Sequence, residues 1–261
     1  MCKDKIVVIT GASSGIGAEI ARMIASKGWA PVLMARSFDK LEHLRNEIKN
    51  DYKTTAHTFQ LDVQDKNHVE SVFNQMQLEV GAIDVLINNA GFGIFDYFHE
   101  AKMEDIEGMF NTNVLGLMAC TKAVLPGMIE RKRGHIINIA SQAGKLATVK
   151  GSVYAATKHA VLGFSNSLRM EVKDFGIQVT TVNPGPIQTN FFKIADQSGQ
   201  YEKNIAKWIL QPSEVADKVV GTIEKPVREI NIPGWMEAGS KMYQLMPSII
   251  EKIGKKAFRQ K

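Results

Sequence analysis

Seven short apolar runs rich in Val and Ile are separated by longer segments of helical period, and that alternation constrains the fold more than any other feature. The runs are KIVVIT (Lys5–Thr10), APVLMAR (Ala30–Arg36), HTFQLDV (His57–Val63), IDVLINNAG (Ile83–Gly91), GHIINIAS (Gly134–Ser141), IQVTTVNPG (Ile177–Gly185) and REINIPG (Arg228–Gly234). A strand covered by helices on both faces must be apolar on both faces, so it reads as a continuous apolar stretch. The β-α-β-α order therefore predicts an α/β fold. It is a single-domain, Rossmann-type doubly wound sheet of about seven parallel strands, with ligands held beyond the carboxyl ends of the strands. Gly28 falls where the first helix should end in a left-handed residue. Ser37 is placed to cap the second helix, and another helix is expected after Ser213 with Glu214 in its first turn.

A chain of 261 residues is large enough to bury one substantial core. The expected division is a catalytic domain over 1–234, with a substrate loop at about 186–212, and a basic amphipathic extension over 235–261 packed on or near it. Cys2 and Cys120 belong to no Cys/His cluster, so neither zinc, any other metal, nor a disulfide framework is expected. A reducing, cytoplasmic setting fits. The run IVVIT is too short for a signal-peptide core, and no run of about 18 apolar residues occurs. The net charge is +5, and six basic residues between Lys241 and Lys261 face the single acid Glu251. No stacking platform or recognition-helix pattern accompanies that charge, so nucleic acid is not the expected partner.

The loop ITGASSGIG (Ile9–Gly17) joins the first strand to the first helix. Gly11 ends the strand, and Gly15 and Gly17 open the helix, so backbone can approach a pyrophosphate at the positive end of that helix, with Ser13, Ser14 and Ile16 beside it. Glycines also serve strand-to-helix turns without ligand, so the loop needs a second sign. An acid at the end of the second strand would hold a ribose 2′-hydroxyl; here the residue is Arg36, whose planar donors suit a 2′-phosphate. That points to NADP(H) over NAD(H). Asp62, followed by Val63, is placed to accept from an adenine amino group, and Asn88–Gly91 ends the fourth strand.

YAATK places Tyr154 and Lys158 on one helix face. An ammonium beside a phenol favours the phenolate, which suits an acid/base catalyst. Ser141 can hydrogen-bond a carbonyl oxygen and the alkoxide that replaces it. Each residue alone is more often a packing or surface residue; together they describe a hydride-transfer site.

These motifs resemble the short-chain dehydrogenase/reductase family from about Lys3 to Gly234, through Thr10–Gly17, Asp62, Asn88–Gly91, Ser141 and the Tyr154/Lys158 pair. The resemblance implies Tyr154 as proton donor or base, and Lys158 also on the nicotinamide ribose. It implies Asn113 in a water-mediated proton relay, and Asn89, Ala90, Gly91, Pro184, Gly185, Ile187 and Thr189 along the cofactor. It further implies a homodimer or homotetramer.

Aromatic and aliphatic residues fill the two segments that set substrate choice in that family: Phe92, Ile94, Phe95, Tyr97 and Phe98 in one, Phe191, Phe192, Ile194, Tyr201 and Trp208 in the other. With Ser141, Phe92, Ile94, Phe191 and Phe192 are the candidate substrate contacts, and a ketone or aldehyde with a hydrophobic body is the expected substrate. One alternative is a 3-oxoacyl group on acyl carrier protein, docked on Arg131, Lys132 and Arg133. A second, of another class, is a non-catalytic NADP(H) sensor or scaffold. The extension packs over the pocket or a partner subunit on the plainer reading, and touches a membrane surface on the sharper one.

Overall fold

The strands of the computed structural model, which describes residues 5–196 and 199–253, coincide with the seven apolar runs. They are β1 (Ile6–Thr10), β2 (Ala30–Ala35), β3 (His57–Gln60), β4 (Val85–Asn88), β5 (Gly134–Ile139), β6 (Ile177–Pro184) and β7 (Glu229–Ile232). They form one parallel sheet in the order β3-β2-β1-β4-β5-β6-β7. Strand order reverses between β1 and β4, which opens a crevice at their carboxyl ends. Several strands are shorter than their runs. Arg36, Asp62, Val63, Asn89 and Ser141 fall just past the last paired residue, where the chain has left the ladder and side chains can turn to the crevice.

Burial explains the continuous apolar runs. Val7 and Ile9 of β1 pack on one face with α1 (Gly15–Ser26), α2 (Phe38–Tyr52) and α9 (Pro212–Glu224), through Ile20, Ile24, Leu41, Ile48, Val215 and Val219. Val8 packs on the other face with α3 (Lys66–Val80), α5 (Leu117–Glu130) and α6 (Ser152–Glu171), through Phe73, Met76, Cys120, Val124 and Leu168. Each such side chain, fully buried, contributes about 1.5–3 kcal/mol.

Between α4 (Met103–Phe110) and α5 the chain adds a π-helical turn, Asn111–Gly116. The combined helix, Met103–Glu130, contains an 18-residue stretch of mean hydropathy 1.3 and is long enough to cross a membrane, which a search for an uninterrupted apolar run does not register. It instead packs into the protein core through Cys120, Val124 and Met128.

Helix ends correct two expectations. Ser37 precedes α2 but makes no capping bond; it lines the crevice instead. Helix α9 starts at Pro212, one residue before Ser213, because proline is preorganised for the first helical turn and the Glu214 carboxylate accepts from the Gln211 N–H at 3.2 Å. Gly28 is left-handed as expected, at φ +75°. After β7 the chain forms α10 (Trp235–Leu245) and α11 (Pro247–Ile253). Cys2, the Tyr201 side chain and residues 254–261, with Phe258 and four of the basic residues, lie outside the described residues.

Candidate active site

A cleft of about 800 Å³ lies across the strand-order reversal. Its phosphate end is built by absence of side chains. Gly11 has φ +66°, and a Cβ there would sit 2.9 Å from the Ala90 Cα; at Gly17 a Cβ would lie 2.4 Å from the Gly11 carbonyl oxygen. The loop thus closes against β4 and its own helix only with glycine at both positions. The Thr10 hydroxyl accepts from the Asn89 and Ala90 N–H groups at 3.1 Å, and Asn89 Nδ2 donates to the Thr10 and Gly11 carbonyls. The Asn89 side chain therefore braces the loop. Helix α1 begins with neither a capping side chain nor an acid in its first turn, so its N–H groups and dipole face the cleft uncompensated. That fits a pyrophosphate.

Arg36 lines the adenosine end with Ser13, Ser37 and Asp62, and its guanidinium has no carboxylate partner among the described residues. Asp62 accepts the Gln64 N–H at 3.0 Å through Oδ1, forming a turn, while Val63 lines the wall. Farther on come Ser14, Gly15, Ile16, Ala90, Gly91, Pro184, Gly185, Ile187 and Thr189. Gly17 is not on the surface of the cleft; it is buried beneath the loop, because only there does its missing side chain matter.

At the centre, Ser141, Tyr154 and Lys158 line the same cleft. Ser141 Oγ accepts from the Ala143 N–H at 3.1 Å, which leaves its own hydrogen to donate. The Tyr154 ring packs edge-on to Phe95 at 5.9 Å and against Phe191 at 5.5 Å. Lys158 Nζ lies 5.7 Å from the Tyr154 ring centroid and donates to the Ile139 carbonyl at 2.9 Å. Burial pushes the Lys158 ammonium down to about 8. Asn113, in the π-helical turn, is buried away from the cleft surface. Its Nδ2 donates to the Phe92 carbonyl and to Thr157 Oγ1, and its Oδ1 accepts from the Phe92 N–H. Thr157 Oγ1 in turn donates to the Tyr154 carbonyl at 2.7 Å. The amide thus ties the Phe92 segment to the catalytic helix and is a positioning group.

The substrate end is lined by Phe92, Leu146, Phe191, Phe192, Ile194, Ile205, Trp208, Trp235 and Met236. Ile94 does not reach it; it packs in the cluster of Phe95, Met109 and Tyr154. Phe95 is buried there as well, and Tyr97 and Phe98 are exposed. The loop from 186 to 212 is pinned at its base, where Gln188 N donates to the Leu210 carbonyl and Leu210 N to the Pro186 carbonyl, at 2.9 and 2.8 Å. Sequence reasoning did not single out Gln142, Leu146, Thr148 or Gly239 as lining residues, and offered Trp235 and Met236 only as part of a tail. A helix that starts at Trp235 and turns back on Gly185 leaves no local motif. Among the described residues no group of three His, Cys, Asp or Glu side chains comes together, and burial pushes the Cys120 thiol up to about 12.

The short chain dehydrogenase family pattern matches residues 5–199. The chain belongs to that family. An uncharacterized oxidoreductase of Staphylococcus saprophyticus is 33% identical over 224 residues, covering 86% of this chain and 93% of the relative. The NADP-dependent 3-hydroxy acid dehydrogenase of Salmonella typhi is 39% identical over 199 residues, 76% and 79% of the two chains. Among solved structures, the closed form of a serine dehydrogenase complexed with NADP+ superposes with a TM-score of 0.80 at 34% identity, covering 87% and 93%. As a short-chain dehydrogenase the protein is an oxidoreductase.

Proposed function

We propose that this short-chain dehydrogenase uses NADP(H) to interconvert an apolar ketone or aldehyde with its alcohol, Tyr154 serving as acid and base. The observation that carries the reading is the buried Lys158 ammonium, held by the Ile139 carbonyl within 5.7 Å of the Tyr154 ring and without a carboxylate to neutralise it among the described residues. Such a charge favours a phenolate, which suits Tyr154 to give up and regain a proton. Ser141 donates to the carbonyl oxygen and fixes the substrate. When bound, NADP(H) supplies or accepts the hydride. The glycine loop and the α1 N-terminus hold its pyrophosphate, Arg36 and Ser13 its 2′-phosphate, and Lys158 its ribose.

The 3-hydroxy acid dehydrogenase and the serine dehydrogenase described above are named for hydroxy acids. Among the described residues the lining of the cleft holds two cations, Arg36 at the adenosine end and Lys158 at the catalytic centre, so the described substrate end favours an apolar body over a carboxylate. The geometry gives the carrier-protein alternative less support. Arg131 bonds the Ile83 carbonyl and Arg133 pairs with Asp84 at 2.7 Å, at the amino end of the sheet, opposite the cleft. A non-catalytic sensor would have no use for Ser141, Tyr154 and Lys158 together.

Titration of NADPH and NADH by nicotinamide fluorescence, with wild type and Arg36→Ala, tests the cofactor half. NADPH should bind wild type more tightly, and the variant should lose about 10–100-fold in NADPH affinity alone, as expected for a charged hydrogen-bonded pair. Equal binding of both dinucleotides by wild type would refute it.

A further inference from the structure

Besides Phe175 and Val227, which precede β6 and β7, seven large apolar side chains of the last third of the chain are exposed: Ile194, Trp208, Trp235, Met242, Leu245, Met246 and Ile249. They are not scattered. Ile194, Trp208 and Trp235 also line the cleft, and the two indoles lie 5.2 Å apart, so they form its rim. Along α10, Trp235, Ala238, Met242 and Leu245 follow at i, i+3, i+7 and i+10, one stripe running away from that rim. Leu245 is 81% exposed and Ile249, on α11, 50%. Lys241, one turn from both Ala238 and Leu245, borders the stripe and pairs with Glu237 beside it at 2.6 Å. The buried contact of the helix is made elsewhere, through Met236 on Gly185 and the fully enclosed Ser240.

Charge selects what can cover such a stripe. Residues 235–261 hold Lys241, Lys252, Lys255, Lys256, Arg259 and Lys261 against Glu237 and Glu251, four of the five net positive charges of the chain. A second copy placed on this face by a two-fold axis would bring two such segments together, which costs free energy. An anionic surface gains it, at about 1 kcal/mol per basic residue near a charged leaflet. We infer that the exposed stripe and the basic segment seat this protein on an anionic bilayer, with the rim of the cleft turned to the lipid. An apolar side chain stripe with basic flanks is what interfacial helices present. The arrangement also places the entrance where apolar substrates partition. Binding is read without turnover, so it stands or falls independently of the catalytic reading.

The test is co-sedimentation of the full chain with vesicles of phosphatidylcholine, with or without phosphatidylserine, at low and high salt. The comparison variant is Leu245→Glu/Ile249→Glu, at two residues that do not line the cleft; Leu245→Ser replaces it should the double variant fail to fold. Wild type should bind the serine-lipid vesicles at least about tenfold more tightly than the neutral ones, and less tightly in high salt. The variant should lose about tenfold or more while its NADPH affinity and its mass by light scattering stay unchanged. Three results overturn the inference: no sedimentation with anionic vesicles at low salt, equal sedimentation of variant and wild type, or a variant that falls to a smaller oligomer, which would show a second copy on the stripe.

Discussion

Burial of one charge, that of Lys158, decides how the centre of the cleft behaves. Its ammonium, brought down to about 8 by desolvation, is intact below that pH and lost above it. Turnover that depends on the charge should therefore fall as pH rises through about 8. Stability should move the other way: between about 8 and the unfolded value near 10.4 the unfolded chain holds more protons, so the protein without cofactor gains stability with rising pH. Thermal melts of wild type against Lys158→Met over that window check the sign; parallel curves would rule it out. Tyr154→Phe should keep NADPH binding and lose about 10²–10⁴-fold in kcat, measured by stopped assay against direct titration. The residues of this centre were legible in the sequence because Tyr154 and Lys158 sit one helical turn apart and Ser141 follows an apolar run. Asn113 was legible only as a candidate. That its side-chain donors are already committed to Phe92 and Thr157 depends on a π-helical turn that periodicity does not reveal.

Strands and helices carry their own tests. In β5, His135 Nε2 lies 2.8 Å from Thr180 Oγ1 of β6, and that hydroxyl donates to the Val227 carbonyl, so the imidazole is the donor in the pair. Burial pushes His135 down to about 4, below its unfolded value of about 6.5. The unfolded state then binds the extra proton first, and stability should drain away as pH falls from about 6.5 towards 4. Denaturant midpoints of His135→Gln should show a flatter acid limb than wild type; identical limbs would place the acid sensitivity elsewhere. At the start of α1, Gly17→Ala puts a methyl 2.4 Å from the Gly11 carbonyl, so the loop must shift. NADPH affinity should drop at least about tenfold and Tm should fall, since small-to-large changes in tight packing cost about 1–3 kcal/mol. Strand positions were readable because both faces of the sheet are covered. Strand ends were not, since HTFQLDV keeps apolar Leu61 and Val63 after pairing stops at Gln60.

For the whole molecule, the parallel sheet and its crevice follow from the order of elements, and with them the side of the sheet on which chemistry occurs. What the order does not encode is the return of the C-terminal segment. Trp235 and Met236 reach the cleft because β7 lies at the edge of the sheet next to β6 and the chain turns back there over Gly185. The substrate end is thus assembled from four distant segments, after β4, after β5, after β6 and after β7, and its apolar character emerges only from their meeting. The measurement that tests this most directly is NADPH consumption across a graded set of carbonyl compounds, from small 3-oxo acids to long-chain ketones and aldehydes. The account predicts kcat/KM that climbs with apolar length, by up to about tenfold per two methylenes, and that collapses in Tyr154→Phe. Turnover confined to the small oxo acids would contradict it.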